Sequence, residues 1–152
     1  MDTRFSAAIH ALILISASDC PMTSEQIAES VGTNASYIRK LTCLLKKGGV
    51  LYSRQGIGGF KLRIPPEELT LYEIYRAISE MDEVRMFDLH QNPNDRCVVG
   101  RHIRPALAEE FREIERQAER ALKGKTLANC IEKLQAEIGR NGDLNRSMNG
   151  TE

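Results

Sequence analysis

Between Thr33 and Arg63 the chain carries seven basic residues, Arg39, Lys40, Lys46, Lys47, Arg54, Lys61 and Arg63, and no acidic one. Cationic side chains at this density neutralise phosphates, and an arginine can also donate two hydrogen bonds to a single base edge. The 152-residue chain has 21 basic and 21 acidic residues, so its zero net charge is the sum of two poles. Outside the basic stretch, fourteen basic residues stand against twenty-one acidic ones, a net of minus seven. A molecule polarised in this way turns its basic pole toward a polyanion.

The other reactive residue types form no catalytic or metal-binding pattern. Cys20, Cys43, Cys97 and Cys130 are 23, 54 and 33 residues apart. That spacing offers no C-x-x-C pair for zinc and, in a reducing compartment, no disulfide framework. A glycine-rich phosphate loop, a nucleophile elbow and a paired-histidine zinc motif are absent. No nucleophile, base and orienting group can be placed together, so neither an enzyme nor a cofactor is expected. Apolar residues at 41% and charged residues at 28% are ordinary for a globular protein with one core. The longest apolar run, Ala7 to Ile15, is interrupted by His10 and is too short to span a membrane. Asp2 stands where a secretory signal would be positive, so a cytoplasmic protein without membrane contact is expected.

A basic surface reads nothing unless rigid elements present it. Thr23 and Gln26 are spaced as a capping box, and Ile27, Ala28 and Val31 give a short helix its apolar face, ended by Gly32. Asn34 or Thr33 caps a second helix whose Ile38, Leu41 and Leu45 repeat at three and four residues. Ser36, Tyr37, Arg39, Lys40, Cys43 and Lys47 are then left on its outer face. Gly48 and Gly49 stop it, and residues 50–54 and 60–64 read as two strands around a glycine-bearing tip at 55–59. The whole is a winged helix-turn-helix, which lays its second helix in a major groove. Ahead of it a helix over 1–18, capped at Asp2 or Thr3, turns Phe5, Ala8, Ile9 and Leu12 inward and carries Arg4 at the end that attracts phosphate. Behind it Thr70 and Glu73 form another capping box for a helix bearing Leu71, Ile74, Tyr75 and Ile78, which completes a DNA-binding domain at residues 1–78.

The helical pattern fails over residues 79–97, an acidic and then polar loop of the length that usually carries function. From about Gly100 to Lys123 the longest pattern of the chain follows, with Pro105 placed in its first turn. Ile103, Leu107, Phe111, Ile114, Ala118, Ala121 and Leu122 line one stripe, and Glu115 is counted with the charged residues of the other faces. About 24 residues make a rod of about 35 Å, longer than the domain needs, so the stripe is expected to pair with a second copy. Residues 98–138 thus form a dimerisation helix and a terminal helix capped by Thr126, and residues 139–152 a disordered tail. The expected fold class is mainly α with a small β-hairpin wing.

The segments RFSAAIHALILIS, IAESVGTNASYIRKLTCLLKKGGVL, SRQGIGGF, LTLYEIYRAI and NPNDRCVVGRHIRPAL, in this order, resemble the Rrf family of small bacterial winged-helix transcriptional regulators over residues 1–138. That family includes regulators of iron–sulfur assembly, nitric oxide response and cysteine metabolism. The resemblance implies a homodimer on a partly palindromic double-stranded DNA operator, with a repressor's action. It places DNA contacts at Ser36, Tyr37, Arg39 and Lys40, and wing contacts at Arg54, Gly58 and Gly59; Arg4, Ser24 and Lys47 are expected beside them. Cluster-binding members carry three cysteines in the loop before the long helix, whereas this loop offers only Cys97. A cluster needs about four ligands. The chain therefore resembles a cluster-free branch, in which Cys97, flanked by Arg96 and Arg101 at the positive end of a helix, is the redox-sensing candidate. The alternatives are a winged-helix protein-interaction module, or a regulator controlled by a small molecule or partner protein at the 79–97 loop.

Overall fold

The computed structural model describes residues 2–53, 56 and 58–142. Helix α1 (Arg4–Ala17) is the centre of the reading head, because Ala8, Ala11, Leu12 and Ile15 on one face are all buried. Small residues at Ala8 and Ala11 let neighbouring helices approach closely. Helix α2 (Ser24–Val31) starts at the Thr23–Gln26 capping box and ends at Gly32, whose φ of 79° is the left-handed cap a glycine adopts without strain. Helix α3 (Ala35–Lys47) seats Ile38, Leu41 and Leu45 in the same core. Each deeply buried leucine or isoleucine contributes about 1.5–3 kcal/mol of hydrophobic stabilisation, and this shared core holds the helices at fixed angles.

The wing is narrower than the sequence pattern implies. Strand β1 (Leu51–Tyr52) pairs antiparallel with β2 (Lys61–Leu62), Leu51 opposite Leu62 and Tyr52 opposite Lys61. One more ladder bond follows, from the Arg63 amide to the Val50 carbonyl at 2.9 Å. Phe60, expected in the second strand, bridges Met22 instead, so the linker before α2 takes over its backbone and shortens the hairpin.

Helix α4 (Leu71–Ser79) opens with the Thr70–Glu73 capping box and closes the core with Leu71, Ile74, Ala77 and Ile78. Helix α5 (Val98–Lys123) is 26 residues long and begins two residues earlier than expected. Pro105 lies inside it rather than in its first turn, where it removes the amide that would bond to the Arg101 carbonyl. Helix α6 (Leu127–Arg140) begins at the Thr126–Asn129 capping box and returns to the head. The amide of Leu71 donates to Lys125 O at 2.9 Å, that of Leu127 donates to Leu69 O at 2.8 Å, and the Leu127 side chain is fully buried. Gly139 and Arg140, expected in the tail, belong to α6, and the tail beyond residue 142 lies outside the described residues.

The segment from Glu80 to Cys97 is an ordered strap laid between α4 and α5. Tyr72 donates its hydroxyl to Asp82 O, and the Tyr75 hydroxyl donates to Arg85 O and accepts from the Arg85 amide, both at 3.1 Å. Phe87 packs on Phe111 with ring centroids 5.0 Å apart. Where the strap enters α5, a Cβ on Gly100 would stand 2.2 Å from the Asn94 carbonyl oxygen, so only glycine permits that approach.

Glu115, expected on a solvated face, is 1% exposed and fastens the strap. One carboxylate oxygen accepts from the amides of Met86 and Phe87 at 2.8 and 3.2 Å, and the other from Arg112 Nη1 at 3.2 Å. Burial alone pushes this carboxyl up, but the two amides, Arg112 and Arg85 outweigh it and hold the group below the ordinary glutamate range. A folded-state pKa below the unfolded one gives stability that is full above about pH 4.3 and is lost as pH falls through the folded value. Glu115→Gln is expected to lower stability at pH 7 by about 2 kcal/mol and to flatten the acid limb of a stability profile measured by urea unfolding.

Candidate nucleic-acid interface

The core fixes which side of α3 faces outward. Asn34 caps the helix by accepting from the Tyr37 amide at 2.8 Å, which sets its first turn. Ser36, Arg39, Lys40, Cys43, Lys46 and Lys47 are exposed along one edge. Thr42 is buried, its hydroxyl donating back to the Ile38 carbonyl at 2.9 Å, and so belongs to the core side. Tyr37 is half-buried and lines a cleft of about 490 Å3 with Thr3, Ser6, His10 and Thr33, between α1 and the α2–α3 turn. His10 Nε2 lies 3.0 Å from the Ser30 hydroxyl across the same side.

Several of the expected contact residues are held by acids from outside the basic stretch. Arg39 Nη2 meets Glu25 Oε1 at 2.6 Å, Lys47 Nζ meets Glu80 Oε1 at 2.9 Å, and Arg4 pairs with Asp2 two residues before it. The hydrogen bond and charge of Glu80 raise the Lys47 pKa, so this ammonium is firmly cationic. No ion pair is formed by Lys40 or Lys46 among the described residues. Each of the three pairs is exposed and therefore weak. An arriving phosphate can therefore displace the carboxylate.

Ser24, another expected contact, is only 8% exposed at the first residue of α2. The wing residues divide: Gly58, with φ of 70°, has open space around it, whereas a Cβ on Gly59 would lie 2.5 Å from that of Pro21. Gly59 thus packs the wing onto the linker before α2. Arg54 lies outside the described residues. Near the wing's base Lys61 Nζ points to the Ser18 carbonyl at 3.4 Å, and Arg63 stands 6.0 Å above the Tyr52 ring.

Cys97 is exposed at the amino-terminal cap of α5. Arg101, expected beside the thiol, donates its Nε to the Asp95 carbonyl at 3.0 Å. His102 Nδ1 lies 2.9 Å from Val98 O on its own helix. No group of three His, Cys, Asp or Glu side chains able to hold a metal gathers among the described residues. The sequence reading missed Glu25 and Glu80, whose meeting with α3 depends on the chain's return in space.

A winged helix-turn-helix with a basic, outward-facing second helix is the class of DNA-binding transcriptional regulators. The chain belongs to the Rrf2 family, described as "Iron-dependent Transcriptional regulator", which matches residues 1–133. It is 40% identical over 134 residues to a Bacillus subtilis (strain 168) protein named as an HTH-type transcriptional regulator, YwnA, covering 88% of this chain and 98% of that one. A crystal structure described as that of a DNA binding protein is 38% identical, with a TM-score of 0.70 over 84% of this chain and 98% of the other. CymR, the global cysteine regulator of B. subtilis, shares the fold at 18% identity, with a TM-score of 0.64 over 88% of this chain and 96% of its own. Among the described residues of one chain the iron in the family's description finds no matching thiolate set, because the strap brings a single thiol and the other cysteines lie on separate elements. No helix among the described residues is long and apolar enough to cross a membrane.

Removing the cap of α3 weakens the interface at its foundation. Asn34→Ala is expected to lower unfolding free energy by about 1 kcal/mol, read as a shift in urea midpoint, with the earliest loss of amide-exchange protection in the first turn of α3.

Proposed function

We propose that the chain works as a homodimeric transcriptional repressor that sets two copies of α3 on a partly palindromic operator. The observation that carries this reading is the exposed cationic edge of α3, backed by a packed core and bordered only by exposed ion pairs. Ser36, Arg39 and Lys40 serve the major groove, while Tyr37 and Lys47 serve its flanking phosphates. Arg4 meets a phosphate at the start of α1, and Arg54 with Gly58 enters the minor groove. The second copy is supported by α5, about 39 Å long, on which Glu115 is the one fully buried side chain. Ile114 is 46% exposed on it, with Met86 and Phe87 exposed on the strap alongside. Apolar surface in that position is what a partner's α5 would cover.

The signal in this reading is oxidation of Cys97. Peroxide converts the thiol to a sulfenic acid and is itself reduced to water, and the larger polar group at the start of α5 alters the spacing of the two heads. The rival signal is a small molecule or a partner protein received by the strap.

Binding to the promoter of its own gene, followed by fluorescence anisotropy, tests the DNA reading. Two copies per duplex are expected, with a steep loss of affinity on adding salt. Lys40→Ala should flatten the salt slope by about one per subunit, and Arg39→Ala should cost about 1–3 kcal/mol per contact. Salt-insensitive binding, or full affinity in both variants, refutes it.

The redox arm compares the wild type with Cys97→Ser before and after peroxide. Loss of binding only in the oxidised wild type is expected, and unchanged binding in both transfers the signal to the strap's other ligands.

A further inference from the structure

The start of the strap borders a cleft that shares only Lys47 with the proposed DNA-binding surface. It has a volume of about 400 Å3 and opens beneath the last turn of α3, between that helix, α4 and the first residues of the strap. Leu44, Ile64, Ala77 and Met81 supply its apolar surface, and Lys47, Glu73, Arg76, Glu80 and Asp82 stand around it. Glu73 is occupied by the Thr70 amide and hydroxyl at 3.0 and 3.1 Å, while the other four charged residues are engaged in pairs, Lys47 with Glu80 at 2.9 Å and Arg76 with Asp82 at 2.7 Å, and are at least half exposed. Pairs so exposed open easily, and both signs then become available at one apolar opening.

The two sides of the cleft differ in their backbone packing. A Cβ on Gly48 would lie 2.5 Å from that of Ala77, so α3 and α4 are in backbone-close contact at the floor. Glu80, where α4 ends and the strap begins, has φ of 56° and is the one non-glycine residue with positive φ among those described. Its strained backbone is held by its own amide, bonded to Arg76 O at 2.9 Å, and by its carboxylate on Lys47.

We propose that this cleft binds a small zwitterion, an α-amino acid with an apolar side chain. Its carboxylate lies on Arg76 and Lys47, its ammonium on Glu80 and Asp82, and its side chain against Leu44, Ile64 and Met81. The last carbonyls of α3 favour the ammonium end. A neutral ligand would leave both ion pairs closed, and a ligand of one sign would satisfy one member of each pair and strand the other. Binding draws Glu80 from Lys47 and releases the strap's first residue. The consequence for operator affinity rests on the assignment of α3 as the reading helix, whereas the binding itself does not.

The test titrates the full chain, without DNA, with each of the twenty free amino acids and follows backbone amide resonances. At least one apolar amino acid is expected to shift the signals of Gly48, Ala77 and Glu80 saturably, while its N-acetyl and methyl ester forms do not. Arg76→Gln and Asp82→Asn, checked for folding by thermal unfolding, should each weaken that binding about tenfold or more. The site is overturned if no amino acid moves these signals, if the blocked forms bind equally, or if both variants bind as the wild type does. Saturable binding that leaves operator affinity unchanged overturns the coupling alone.

Discussion

Glu115 is the one charged side chain buried among the described residues, and the seating of the strap on α5 depends on how its charge is satisfied. A buried carboxylate without partners would cost several kcal/mol, so its place in the fold is tenable only while the amides of Met86 and Phe87 and the Arg112 guanidinium surround it. Those donors come from two different elements. The requirement therefore ties the strap to α5 at the Met86–Phe87 step. The ends of the strap have contacts of their own: Glu80 reaches Lys47 at the end of α3, and Cys97 stands at the start of α5.

The reading surface follows a different electrostatic logic. Its cations are exposed, and Arg39 and Lys47 are matched with Glu25 and Glu80 in pairs that water and salt keep weak. Such pairing holds long side chains in order without removing them from a competing anion. In the proposed complex a duplex would exchange one carboxylate for a line of phosphates, with released counterions supplying much of the gain.

Local signals explain what was legible in the sequence. The Thr23–Gln26 and Thr70–Glu73 capping boxes, Gly32 and the spacing of Ile38, Leu41 and Leu45 act within a few residues, and each produced the helix end or buried face that its chemistry dictates. The wing was read too wide because Phe60 is claimed by Met22, a partner nearly forty residues away in the chain. Glu115 was misplaced for the same kind of reason: it sits among charged neighbours in sequence, and only the returning strap makes its position an interior one. The cations of α3 were recognised, but their acidic partners were not, since Glu80 lies 33 residues from Lys47. Ser24 stands beside a capping residue, and its type alone does not show that the packing of α2 closes over it.

Helix α4 stands between the two halves, packed against α3 on one side and α5 on the other. Its tyrosines grip the strap through Asp82 and Arg85, and Lys123 near the end of α5 lies 4.5 Å from the centre of the Tyr72 ring. At its carboxyl end, Gly48 and Ala77 meet too closely for α3 to slide along it. Helix α4 is therefore the element through which the strap and α5 are mechanically joined to α3, with the Lys47–Glu80 pair as a second and weaker link.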